Sequence, residues 1–302
     1  MNIKFYNRYD NQESIEKVYG SREIVFLYET FAGKSLRHLL CGKLFSKFYG
    51  KLQNLPSSKN KIKPFIRNFD IKIGDFLPED GREMIDPYST FNHFFIRRFK
   101  EGKRNFPVDE NQMGAFAEAR YLGFKRVTGR MTVPVKGFDL SVEEILANKI
   151  WNRTFAGGPL LLARLCPVDY HRFHFVDEGR VLAQYRIEGD LDSVNPLALS
   201  KKTDIFFTNE RQITIVESKN FGKLAYVDVG AICVGKIIQT SNKENHQRGE
   251  EKGYFLFGGS TVIVIGEERR WYPSEDILTK TKEGIETYVR LGDVVAQKIH
   301  NH

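Results

Sequence analysis

The chain has 302 residues, of which 41% are hydrophobic and 13% aromatic, and a formal net charge of +8 at pH 7. That is enough for one substantial core with a smaller appended region, and too apolar for a disordered chain. Cys41, Cys166 and Cys233 form no C-x-x-C pair, which argues against a disulfide framework or a thiolate zinc site and fits a reducing, cytoplasmic setting. The best apolar stretch, 157–168, is broken by Arg164 and Pro167, so no membrane span is expected. Lys4, Arg8, Asp10 and Glu13 at the N-terminus leave no apolar signal core, and no secretory leader is read there.

Residues 21–55 are expected to form a basic amphipathic helix. Leu36, Leu39, Leu40, Leu44, Phe45, Phe48 and Leu52 recur near helical spacing, while Lys43, Lys47 and Lys51 share another face at i, i+4, i+8. Between Lys34 and Lys63 there are eight Lys or Arg and no Asp or Glu. Such a helix can lie in the interface of an anionic bilayer, lysines at the headgroups; the plainer reading is a solvated basic face over a core helix. Nucleic acid is the rival partner for basic charge. It is not expected, because no recognised module appears and the cations interleave with aliphatics rather than with a stacking platform.

Pro56 to Asn60 reads as a loop, followed by a second helical piece near Ile62 to Phe69. After the Gly- and Asp-rich segment 74–87, the run Phe91-Asn92-His93-Phe94-Phe95-Ile96-Arg97 opens the main domain. Strand patterns follow at Leu160 to Leu165, Val181 to Ile187, Ile213 to Glu217, Leu224 to Val229 and Thr261 to Ile265. Ser141-Val142-Glu143-Glu144 is a capping box, and Pro273-Ser274-Glu275 opens another helix. The expected architecture is α+β: an N-terminal helical, membrane-associating region over 1–90, then a mostly antiparallel β catalytic domain over 91–302.

Two segments carry chemistry. In Phe257-Gly258-Gly259-Ser260-Thr261 the glycines permit a strained backbone directly before a serine. The serine-hydrolase elbow would need glycine at 262, where valine stands. Taken alone, Gly-Gly-Ser-Thr is also ordinary turn chemistry entering a strand. The second segment is Pro167-Val168-Asp169-Tyr170-His171-Arg172-Phe173-His174. Histidines at i, i+3 share one side of a helical turn but lie on opposite faces of a strand, so a common site requires a turn here. Histidine suits proton exchange near neutral pH. A zinc site lacks a third ligand at recognised spacing, and no metal is expected.

These segments, with Arg248-Gly249-Glu250-Glu251-Lys252-Gly253-Tyr254, Ser193-Val194-Asn195-Pro196, Asn209-Glu210-Arg211, Val229-Gly230-Ala231 with Val234-Gly235, and the 91–97 run, are similar to bacterial phosphatidylserine decarboxylases from about residue 20 to about residue 296. The resemblance implies that Ser260 attacks the Gly259 carbonyl, cutting the chain into 1–259 and 260–302. Ser260 then becomes a covalent pyruvoyl cofactor. A Schiff base with it would let phosphatidylserine lose carbon dioxide to give phosphatidylethanolamine. His174 matches the processing histidine and His171 the one that handles the decarboxylation proton. The usual aspartate of Pro-Ala-Asp-Gly-Arg is replaced in Phe116-Ala117-Glu118-Ala119-Arg120, and Glu118 is expected to orient the histidine. Expected partners are phosphatidylserine and an anionic membrane surface, with a homodimer among the assemblies considered and the cytoplasmic face of the cell membrane as the location. The rival class is a non-enzymatic, unprocessed phospholipid-binding relative; a related archaeal-type serine lipid is a further candidate substrate.

Overall fold

The computed structural model of the chain describes residues 3–16, 30, 50–133, 137–231, 236–241 and 243–299. Lys43, Lys47 and most of the expected basic helix lie outside the described residues; within its span, residues 50–52 are helical and Lys51 is exposed.

A ten-stranded sheet organises the molecule. Across it run Asn245–His246, Gly179–Ile187, Arg211–Ser218, Gly222–Val229, Ser260–Gly266, Leu160–Leu165, Ala119–Phe124, Glu286–Val289, Lys4–Asn7 and Gln12–Ile15. Its described ladders are antiparallel except where Lys4–Asn7 runs parallel to Glu286–Val289. The α+β, mostly antiparallel architecture is therefore as the sequence indicates. Ser260–Gly266 and Leu160–Leu165 are buried along their whole lengths, which is why both read as continuous aliphatic runs rather than alternating ones. Gly179–Ile187, nearer the edge, mixes exposed and half-buried positions.

A three-stranded sheet of Ile237–Gln239, Glu251–Phe255 and Arg172–His174 places Phe173 and Phe255 in the same core. Each fully buried phenylalanine stabilises the fold by about 1.5–3 kcal/mol. The helix Ile62–Phe69 turns Ile62 and Phe65 inward and Lys63 and Arg67 outward. Phe65 packs on Phe91 and Phe94, at ring separations of 5.3 and 5.8 Å. Ser141 caps Val142–Leu146 by accepting from the Glu144 N–H at 3.3 Å. Ser274 does not cap Glu275–Lys282 with its side chain; its hydroxyl donates to the Val294 carbonyl instead.

The first residues depart from the expected helical region. Lys4–Asn7 and Gln12–Ile15 form a hairpin at the edge of the large sheet. Its exit residue, Glu16, is 6% exposed and receives Arg164 at 2.7 Å and Arg120 at 2.9 Å. Burial opposes ionisation of Glu16, but the two guanidinium groups outweigh it and hold the carboxyl down at about 2.

Candidate active site

Ser260 is the first residue of its strand, paired with Leu165 and fully buried. Register puts Thr261 across from Arg164, so Ser260 points to the opposite face of the sheet from that arginine. Immediately before it, Gly258 has φ 150°, a conformation that a side chain would strain. A Cβ on Gly259 would meet only Val194, at an ordinary 3.5 Å. Of the two glycines the sequence singles out, Gly258 is the one the backbone requires.

His171 lies just after a turn that follows Leu160–Leu165, closed by the Asp169 N–H on the Cys166 carbonyl and built from its own motif. The Asp169 carboxylate accepts from the Cys166 N–H at 2.7 Å and from Arg120 at 2.5 Å. Arg97 donates to the carbonyls of Val168 and Asp169, both at 3.1 Å. On this scaffold His171 Nε2 lies 2.8 Å from the Cys166 carbonyl and Nδ1 lies 3.4 Å from Ser260 Oγ. A carbonyl can only accept, so Nε2 carries the proton and Nδ1 presents its lone pair to the serine hydroxyl. Phe95 stacks on the imidazole at 3.9 Å. Burial, opposed by the Cys166 contact, pushes the His171 pKa down to about 3, which keeps the ring neutral at physiological pH with the Nδ1 lone pair unprotonated.

His174 lies elsewhere. The segment Arg172–His174 is a strand, so a three-residue step carries the second ring to the other side. Its Nδ1 donates to the Gly249 carbonyl at 2.9 Å, and its Nε2 faces the Tyr170 hydroxyl at 3.2 Å. It therefore holds the opposite tautomer from His171. Burial also lowers its pKa. The sequence expectation assigned the Ser260 proton to His174; in this geometry the contact with Ser260 belongs to His171.

Glu118 does not reach His174 either. Its carboxylate accepts from Arg104 at 2.5 and 2.9 Å, from the Tyr288 hydroxyl at 3.0 Å and from the Leu291 N–H at 3.3 Å. Glu118 is buried, and its hydrogen bonds tie Arg104, Tyr288 and the 291 backbone together. Cys166 is buried, and loss of hydration raises its thiol pKa well above the ordinary value despite Arg120 and Arg164 nearby, so it is no nucleophile. Among the described residues no group of three or more His, Cys, Asp or Glu could hold a metal ion.

Sequence reasoning gave no role to Asn92, Phe95 or Tyr170, although all three stand inside quoted motifs. Asn92 Oδ1 accepts the Phe257 N–H at 3.0 Å. What signalled them was only their place beside histidine and in an aromatic run; their partners are set by the tertiary fold. At this site the buried, neutral His171 imidazole, with Phe95 stacked on it, faces the Ser260 hydroxyl beside a glycine peptide. That arrangement suits transfer of an acyl group from nitrogen to oxygen within the chain.

A family model for phosphatidylserine decarboxylase matches residues 91–297. Over 298 residues the chain is 38% identical to the phosphatidylserine decarboxylase proenzyme of Clostridium kluyveri, covering 98% of this chain and 99% of that one. It is 39% identical to the proenzyme of the same name from Clostridium perfringens strain SM101, with 98% and 100% covered. With Clostridium tetani the figures are 38% identity and 98% of each chain. The chain belongs to the phosphatidylserine decarboxylase family.

Proposed function

We propose that this chain is a phosphatidylserine decarboxylase that makes its own catalytic group from Ser260. It converts phosphatidylserine to phosphatidylethanolamine and carbon dioxide; the non-enzymatic alternative is not favoured, given similarity to proenzymes over 98% of the chain. The observation that carries the processing step is the approach of Ser260 Oγ to His171 Nδ1 at 3.4 Å, beside Gly258 at φ 150°.

Processing begins when His171 Nδ1 takes the Ser260 hydroxyl proton. Oγ bonds to the Gly259 carbonyl carbon, the C–N bond breaks, and the proton passes to the departing amine of residue 260, leaving an ester. Loss of the Ser260 α-proton then expels the Gly259 carboxylate. The resulting enamine tautomerises to an imine, which water hydrolyses with release of ammonia, leaving a pyruvoyl group at the start of 260–302. The surroundings of Ser260 fit such a group: Ser260 and His171 are fully buried, the Phe95 ring stacks on His171, and Val194 lies beside Gly259. When present, the pyruvoyl group serves as an electron sink for loss of the substrate carboxylate. His171 then holds or returns a proton at the same spot. The resemblance alone assigns processing to His174; the Ser260 contact supports His171.

We further infer a peripheral location on an anionic membrane surface, at the cytoplasmic face. Among the described residues no helix is long and apolar enough to cross a membrane. Lys51, Lys61, Lys63, Arg67 and Lys72 are exposed beside Leu52 and Leu55, and Asp70 is the only acid between 51 and 74. The basic surface expected at Lys43 and Lys47 thus has a described continuation. The division at residue 90 into membrane-associating and catalytic parts remains our proposal.

The processing reading is tested on a denaturing gel. The purified wild-type chain should give two pieces, 1–259 and 260–302, and Ser260→Ala one full-length band. A fragment beginning at 260 from Ser260→Ala would overturn it.

A further inference from the structure

The peptide between Gly259 and Ser260 is anchored on both sides, by different means. On its C-terminal side Ser260 is fixed in the large sheet through Leu165. On its N-terminal side residues 256–259 lie outside helix and strand, and two of them are glycines. Free glycine-rich chain samples many conformations, and holding reacting atoms in position is worth a large factor in rate.

The anchor on that side is Asn92. Its Oδ1 accepts the Phe257 N–H at 3.0 Å. A backbone N–H only donates, so the carbonyl end of the amide must face Phe257. The other end, Nδ2, donates to Asn54 Oδ1 at 2.8 Å and to the Gly50 carbonyl at 3.3 Å. The Asn92 backbone N–H goes to the Gln53 carbonyl at 3.2 Å. The side chain is 1% exposed, so the amide cannot swing out to water. The Phe257 ring lies between Phe91 at 5.2 Å and Phe95 at 5.0 Å. Residue 92 thus joins the basic surface segment around 50–54 to the peptide two residues ahead of Gly259.

We infer that Asn92 is a positioning residue for chain cleavage. By holding the Phe257 N–H it fixes the path through Gly258 and Gly259 and keeps the Gly259 carbonyl carbon in reach of Ser260 Oγ. It exchanges no proton; the bonds made and broken are those of the processing step above, on which this role rests.

The test compares wild type, Asn92→Ala and Asn92→Asp by the time course of 260–302 appearing after synthesis. Thermal unfolding of each residue-92 variant is measured separately in a Ser260→Ala background, which keeps the chain whole. Asn92→Asp keeps an oxygen toward Phe257 but sets a carboxylate against the Gly50 and Asn54 oxygens, so it should destabilise at least as much as Asn92→Ala. Cleavage should run the other way. Asn92→Ala should be slowed about 10- to 100-fold, since a small misplacement costs up to about that much, and Asn92→Asp should recover most of the loss. Cut wild type together with wild-type rates in Asn92→Ala would remove the role, as would slowing that simply follows lost stability in both variants. Wild type that stays uncut would instead sink the processing reading itself.

Discussion

His171 and His174 stand three residues apart in one motif, and burial lowers the pKa of both, yet they hold opposite tautomers and face different partners. His171 is fully buried, donates from Nε2 to a carbonyl and offers Nδ1 to Ser260. His174 is half-buried, donates from Nδ1 to Gly249 and has Nε2 against Tyr170. The difference comes from backbone: a turn built by Asp169 and Cys166 holds the first, and the strand Arg172–His174 carries the second away. A motif can therefore supply two similar side chains while the local backbone decides which one meets the reacting atom.

Glu118 offers the largest way to break this comparison. If it only ties Arg104, Tyr288 and Leu291 together, Glu118→Gln should destabilise the Ser260→Ala precursor by about 2 kcal/mol, since a charged hydrogen-bonding group is lost from a buried cluster. Cleavage of the folded chain should stay within about tenfold of wild type. Denaturant titration and a gel time course check the two halves. Severe slowing at unchanged stability would return Glu118 to the processing site.

The pH dependence of stability sharpens the contrast in burial. The folded His171 pKa is near 3, whereas an unfolded histidine titrates near 6.5. Below about pH 6.5 the unfolded chain binds a proton that the folded chain refuses, so stability falls as pH drops from there toward 3. The slope from this one group is about 1.4 kcal/mol per pH unit. His174 and His246 are lowered too and add in the same direction. In the Ser260→Ala precursor, His171→Phe should flatten the profile between pH 4.5 and 6 by about one group's share, and an unchanged slope would contradict the burial argument.

A further expected effect concerns the surface segment, which reaches the His171 side of the site through Phe65, Phe91 and Phe95. Each basic residue near an anionic bilayer contributes about 1 kcal/mol. Reversing Lys51, Lys63 and Arg67 to glutamate should weaken co-sedimentation with phosphatidylserine-containing vesicles, most at low salt, and leave chain cleavage unchanged. Undiminished binding would assign the segment to solvent.

Much of the fold was legible because its central elements are strongly patterned. Leu160–Leu165 and Ile62–Phe69 coincide with their sequence readings, since aliphatic runs and amphipathic periodicity report burial directly. The N-terminal hairpin was not legible: its strands are four residues each, and Lys4–Asn7 finds its parallel partner in Glu286–Val289 near the other end of the chain. Within the site, Ser260 and both histidines stood out by resemblance. Their pairing could not, because spacing of i, i+3 leaves strand and turn open until backbone is known. Asn92 was quoted without a role, as its partner Phe257 is 165 residues away.

The most direct test of the Ser260–His171 contact sets His171→Ala beside His174→Ala and follows the appearance of 260–302 after synthesis. Loss of a positioned base costs about 100- to 10,000-fold. The expected result is that His171→Ala stays as one chain over the period in which wild type is fully cut, while His174→Ala loses far less than the roughly 100-fold a positioned base is worth and is cut within about tenfold of the wild-type rate. Cleavage in His171→Ala together with an uncut His174→Ala would contradict it and give the Ser260 proton to His174.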